Sequence, residues 1–221
     1  MNSRIVVTAD GSKTLTADEA GTEIYHSRHG ALAESRYVFI QQGLQIFLDH
    51  AGPASIRLLE VGFGTGLNAM LGMQWAQAHQ IPVDYTGLEP NRLSIDLLMA
   101  LDYPPLLQVP EADFYNLHAL SRLEVPCFEA TVVTAALESY QGQPGTFDLV
   151  WFDAFSPRFQ AQIWSAEVFQ QLFELLRPGG KLVTYSAKGD VQRALKATGF
   201  SLEKLPGPPG KREMLRATRP A

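Results

Sequence analysis

Residues 58–68 read LLEVGFGTGLN: an apolar run containing the acidic Glu60, then Gly62, Gly64 and Gly66 at alternate positions. The apolar run suits a buried strand, and the following TGLNAMLGMQWAQAHQ suits a helix, so the glycines occupy a strand-to-helix turn. Glycine there lets the backbone turn tightly and come close to a ligand. Spacing narrows the choice of ligand. The dinucleotide pattern G-x-G-x-x-G needs glycine at 67, where Leu67 stands, and no Gly-Lys-Ser/Thr follows, which excludes a P-loop.

The flanking sequence alternates in the same way. Strand-like VDYTGLE, FEATVV, FDLVWFD and GGKLVTYS are separated by helix-like NRLSIDLLMA, a short helix near 135–141 and SAEVFQQLFELL, and GDVQRALKATG follows. SLEKL and REMLRAT close the series as an antiparallel pair around PGPPGK. This predicts an α/β fold with a mostly parallel seven-stranded sheet and a C-terminal hairpin, over residues 51–221. Residues 1–50 form an extension of the same domain. RIVVTA and TEIYHS suit a small hairpin separated by DGSKTLTADEAG, and 31–50 carry helical spacing (Leu32, Val38, Phe39, Leu44, Phe47, Leu48) interrupted at Gly43.

In open sheets of this kind ligands bind at the carboxyl ends of the strands. An acidic residue ahead of G-x-G-x-G matches the first motif of class I S-adenosylmethionine-dependent methyltransferases, a Rossmann-like fold whose loop holds the methionine and ribose of a ligand without phosphates. Glu89, at the end of the next strand, is placed to accept both ribose hydroxyls; a helix N-terminal charge is the other reading. Glu60 either touches the cofactor or bonds the loop amides, and Asn68 closes the motif as a further cofactor-binding candidate. The acidic residue that many such enzymes place after the third strand is absent, because Ala135 stands there.

Composition narrows the class. The chain is 46% hydrophobic and 10% aromatic, which supports one sizeable core. A single cysteine, Cys127, excludes an internal disulfide or a Cys-based zinc cluster. His26 and His29 lack partners at ligand spacing, so no metal is expected. There is no leader-like N-terminus and no apolar run near eighteen residues, which predicts a cytoplasmic protein with no membrane association. Residues 1–176 carry 8 Lys/Arg against 20 Asp/Glu, and residues 177–221 carry 10 against 3, which points to a basic, polyanion-facing C-terminal segment or a solvated basic hairpin.

A second motif lies at 151–157, WFDAFSP, where a buried strand ends on Asp153 beside an aromatic and a proline. Methyltransferases acting on amines end this strand in a polar-proline-aromatic motif. An alkyl amine with a pKa of ~10 arrives protonated, so Asp153 would orient it and take its proton. Pro157 would fix the turn, and Phe155 would stack on a base or shield the cation. The competing reading is that Asp153 caps the next helix or pairs with Arg158.

DGSKTL (10–15), YHSRHGALAESRYVFI (25–40), LLEVGFGTGLN, WFDAFSPRFQAQIW (151–164), LRPGGKLVTYSA (176–187) and GKREML (210–215) together resemble the methyltransferase domain of the MnmC family, especially its stand-alone MnmD-like form. The resemblance covers most of the chain. It implies S-adenosyl-L-methionine as cofactor and methyl transfer onto 5-aminomethyl-(2-thio)uridine at the tRNA wobble position, without the fused FAD-dependent oxidase of bifunctional members. Tyr25, His29, Glu34 and Arg36 are then expected to form a lid, and Arg158, Lys211 and Arg212 to contact phosphates of the anticodon loop. Trp164 and Phe169 are expected in the core. Three alternatives remain open: small-molecule amine methylation, a spermidine-synthase-like aminopropyl transfer, and a binding protein without catalysis.

Overall fold

The computed structural model describes residues 3–221. Strands β1 (Ile5–Val7) and β2 (Lys13–Leu15) form a small antiparallel hairpin. The expected partner of the first strand was TEIYHS; the structure instead uses KTL, from the segment read as a connector, and TEIYHS contributes one bridge, Thr16 to Ile24. A helical rod follows as Ala31–Ser35, a π-helical stretch Arg36–Gln45, and Ile46–Ala51. Gly43 does not interrupt it. A Cβ there would lie 3.0 Å from the Trp151 indole nitrogen and 3.4 Å from Val183, so the glycine lets the rod press against the sheet.

The main sheet has eight strands rather than seven, in the order β5 (Arg122–Val125), β6 (Phe128–Val133), β4 (Val83–Leu88), β3 (Ile56–Val61), β7 (Phe147–Phe152), β8 (Leu176–Thr184), β10 (Glu213–Thr218) and β9 (Ser201–Pro206). Strands β6, β4, β3, β7 and β8 are parallel, while β5 and the C-terminal pair add antiparallel edges. The unanticipated strand β5 follows two short helices, Tyr103–Leu107 and Glu111–Ala119, in a stretch to which the sequence reading assigned no element. Pro104, Pro105 and Pro110 look like breakers there, but they sit where helices begin and a missing N–H costs nothing.

All six residues of β7 are buried, as expected of a strand covered on both faces. One face packs Trp151, Tyr85 and Phe128 under the rod and the helix Leu67–His79; the other packs Phe152 against Trp164 and against Phe169 of the helix Ala166–Leu175. Chain order runs outward from β3 in both directions, which opens a crevice at the carboxyl ends of β3, β4 and β7. Glu60, Glu89 and Asp153 lie at or beside those ends.

Candidate active site

The strand ends are cross-braced. The amides of Gly62 and Phe63 donate to the Leu88 carbonyl (3.0 and 3.1 Å), that of Glu89 to Val133 (3.1 Å) and that of Asp153 to Val61 (2.9 Å). Gly62 has φ 91°, and a Cβ there would lie 2.5 Å from the Asp153 carbonyl oxygen, so no other residue passes between β3 and β7. Gly66, at φ 75°, packs on the buried imidazole of His118. Burial holds that imidazole down at about 3, hence neutral.

Two adjoining cavities, each about 320 Å³, meet at this crevice. Gly62, Gly64, Leu88, Glu89 and Asp153 line the first. One Glu89 oxygen accepts the Gly64 amide and the other the Asn91 amide, both at 2.9 Å, while burial pushes its carboxyl up. Acceptor capacity on both oxygens is left for paired hydroxyls. Ala135, Ala136, Leu137 and Ile163 make an apolar slot beyond it, with Glu138 at its edge. The wall carries Glu89, Glu138 and Asp153 and, among the described residues, no Lys or Arg. Such a wall suits a cationic nucleoside and not a phosphate ester.

Glu60 and Asn68 do not line this cavity; they lie beneath it. Asn68 Nδ2 donates both to Glu60 Oε1 (2.7 Å) and to Asp153 Oδ2 (2.8 Å), and the Tyr85 hydroxyl donates to Glu60 Oε2. Glu60 is fully buried beneath the cavity, and its oxygens meet Asn68 and Tyr85 rather than the amides of the glycine loop. Burial, followed by the charge of Asp153, pushes the Glu60 carboxyl well up. Asp153 in turn is pushed up to about 7, by burial first and then by Glu34, against the pull of Asn68 and Lys211. It neither caps a helix nor meets Arg158, which is exposed and makes no ion pair among the described residues.

Beyond Asp153 the chain turns at residues 154–156. Tyr185 donates its hydroxyl to the Ala154 carbonyl (2.9 Å), Trp164 its indole N–H to Phe155 (2.8 Å), and Ser156 its amide and hydroxyl to the two oxygens of Glu23 (2.8 and 3.0 Å). Phe155 meets Tyr25 edge to face at 4.9 Å, and both rings face both cavities. His29, Glu34, Tyr185 and Lys211 line the second cavity. Pro157, Arg158, Arg212 and Arg36 line neither, so Arg36 drops out of the expected lid. The Lys211 ammonium faces inward, paired with Glu34 and 3.6 Å over the Tyr185 ring. Glu23, Glu138 and Tyr185 are site residues the sequence reading missed. Tyr185 lies within the LRPGGKLVTYSA motif, where nothing singles it out, Glu23 lies outside the quoted motifs, and Glu138 is an acid three residues past Ala135.

Residues 107–220 match the sequence model of an S-adenosyl-L-methionine-dependent methyltransferase family. The chain belongs to that family. The methyltransferase is 31% identical, over 93% of its length, to the tRNA 5-methylaminomethyl-2-thiouridine biosynthesis bifunctional protein MnmC of Aeromonas salmonicida, and covers 35% of that protein. It is 34% identical, over 87% of its length, to the MnmC protein of Cupriavidus metallidurans, covering 30% of it. It thus spans about a third of the length of these relatives. The crystal structure of MnmC2 from Aquifex aeolicus superposes on the whole methyltransferase with a TM-score of 0.75, at 26% identity and over 71% of that chain. The resemblance to the MnmC methyltransferase domain read from the motifs is borne out by these matches, and so is the fold class. Spermidine synthase from Thermotoga maritima, at 14% identity and a TM-score of 0.60, shares the fold. The cofactor is S-adenosyl-L-methionine, and the acid-lined first cavity fits it: a carboxylate with free capacity for ribose hydroxyls, an apolar slot for a base, and negative charge where a sulfonium would sit.

Proposed function

We propose that this methyltransferase transfers a methyl group to the primary amine of 5-aminomethyl-(2-thio)uridine at the wobble position of tRNA. The observation that carries this reading is Asp153, a carboxyl pushed up to about 7 in the wall of the acid-lined cavity, followed in the chain by Ala154 and Phe155, which line both cavities. The names of the MnmC relatives, which place those proteins in tRNA 5-methylaminomethyl-2-thiouridine biosynthesis, supply the substrate.

Bound S-adenosyl-L-methionine supplies a methyl on a sulfonium. Gly62 and Gly64 let the chain approach it, Glu89 takes the ribose hydroxyls, and Glu138 stands where an adenine amino group would be read. Tyr25 and Phe155 close around the reacting groups and exclude water. The incoming ammonium must lose a proton before its nitrogen becomes a nucleophile. Asp153 Oδ1 receives that proton, while the Asn68 amide holds Oδ2 in place. A group of pKa near 7 suits proton transfer at neutral pH better than an ordinary aspartate.

Residues 51–221 are the catalytic body in this reading, and 1–50 build one wall of the substrate cavity. Arg158 and Arg212, exposed and each adjacent to a cavity-lining residue, are the candidates for anticodon-loop phosphates. A tRNA substrate would be met in the cytoplasm, which is the compartment this reading implies. No helix among the described residues is long and apolar enough to cross a membrane, and none of their His, Cys, Asp or Glu side chains group to hold a metal ion. Aminopropyl transfer is not favoured: the likeness to spermidine synthase is one of fold at 14% identity, whereas the MnmC relatives match at 31% and 34% over most of the chain.

Asp153→Asn tests the role directly. It keeps the shape and the bond from Asn68 but cannot take a proton. The expected result is S-adenosyl-L-methionine affinity within a few-fold of wild type, by calorimetry, with methyl transfer lowered by roughly 100-fold or more. Near-wild-type turnover would refute the assignment.

A further inference from the structure

The second cavity already holds an alkylammonium. Lys211 enters from the β9–β10 turn, and its Nζ pairs with Glu34 while lying 3.6 Å above the centroid of the Tyr185 ring. Glu34 is 5% exposed, and its other oxygen accepts the Ser27 amide at 3.0 Å. A buried carboxylate beside an aromatic face is a receptor for an organic cation, through a charge-assisted hydrogen bond and a cation–π contact. The two sides are held together by more than this pair. Tyr37 donates to the Pro206 carbonyl at 3.0 Å, and Gly210, at φ 83°, packs so close on His29 that any side chain would overlap the imidazole.

We propose that Glu34 is the specificity-determining anchor for the substrate's ammonium, and that Lys211 is a resident stand-in which the substrate displaces. This deepens the amine-methyltransferase reading and rests on it. A carboxylate buried this deeply is costly to leave unpaired, so exchanging one alkylammonium for another avoids a penalty that simple vacancy would bring. The exchange keeps the charge of the cavity constant. It admits primary alkylamines, whose head matches that of lysine, and rejects neutral side chains of the same size, which would leave Glu34 bare. Ala154 and Phe155, which follow Asp153 in the chain, line the cavity that holds Glu34 and also the acid-lined cavity, so an amine anchored at Glu34 enters on the side where the two cavities adjoin.

n-Butylamine, with n-butanol as the neutral control, probes this without tRNA or cofactor. Calorimetry should show n-butylamine binding Lys211→Met roughly tenfold more tightly than wild type, with the gain lost in Lys211→Met/Glu34→Gln and n-butanol showing none. Equal binding to wild type and Lys211→Met, or a gain that survives Glu34→Gln, would overturn the proposal. Should Lys211→Met fold poorly, the wild-type protein carries the test. n-Butylamine but not n-butanol should raise the acetylation rate of Lys211 several-fold by peptide mass spectrometry, and an unchanged rate would overturn it. Positive results here with no methylation of tRNA would sink the tRNA reading alone; the reverse would sink only the anchor.

Discussion

An aspartate pushed up to about 7 is half-protonated near neutral pH, and its burial has consequences for both rate and stability. The base form is the active one, so kcat/KM should rise with pH through about 7. The folded-state pKa is raised above the ordinary 3.8, so the folded protein binds a proton that the unfolded chain has released. Asp153 therefore costs nothing below about 3.8, costs progressively more up to about 7, and costs a constant amount above that. Asp153→Asn should be more stable than wild type at pH 8 and lose that advantage near pH 4, as followed by urea denaturation. A gain that does not change with pH would mean the carboxyl is not buried as described. Asp153 itself was legible in the sequence because strand, carboxylate, aromatic and proline are contiguous. Asn68, Glu34 and Lys211 were legible as site candidates but not as partners of Asp153, since the bond from Asn68 and the charges of the other two come from three distant segments.

The glycine turn is the element on which cofactor and base both depend. Gly62 touches the Asp153 carbonyl, and Gly64 donates to Glu89. Gly62→Ala forces a side chain into a left-handed φ of 91° and against β7, so it should destabilise the fold by about 1–2 kcal/mol or more. It should also weaken S-adenosyl-L-methionine binding; denaturant midpoints and calorimetry check both. Wild-type values in either would show that β3 and β7 do not meet there. Alternation of strand and helix patterns was enough to find the central parallel strands and the C-terminal hairpin. It failed between 101 and 127, where prolines that begin helices mimic breakers. It also failed at Gly43, where a close approach between rod and sheet resembles a helix end. Both signals have two physical causes, and only the tertiary neighbour distinguishes them.

At the scale of the molecule, five of the ten cations of the basic C-terminal segment are held in ion pairs among the described residues, one being Arg193 with Asp190. Arg177 pairs with Asp148, Lys204 with Glu213, Lys211 with Glu34, and Arg216 with Glu203, while Arg219 donates to the carbonyls of Phe173, Glu174 and Leu176. Two of these pairs, Arg177 with Asp148 and Lys211 with Glu34, tie the segment to the body, while Lys204 with Glu213 and Arg216 with Glu203 brace its own two last strands. The cations left exposed and without ion pairs among the described residues include Arg158, Lys188, Lys196 and Arg212. In the proposed mechanism the fold brings together an acid-lined cofactor cavity, Asp153 as base in its wall, and Glu34 as amine receptor in the adjoining cavity. The most direct test incubates the protein and S-adenosyl-L-methionine with tRNA bearing 5-aminomethyluridine at the wobble position, then digests the RNA and weighs the nucleosides. A gain of one methyl on that nucleoside is the expected result. An unchanged mass, with cofactor binding shown separately, would contradict the proposed substrate.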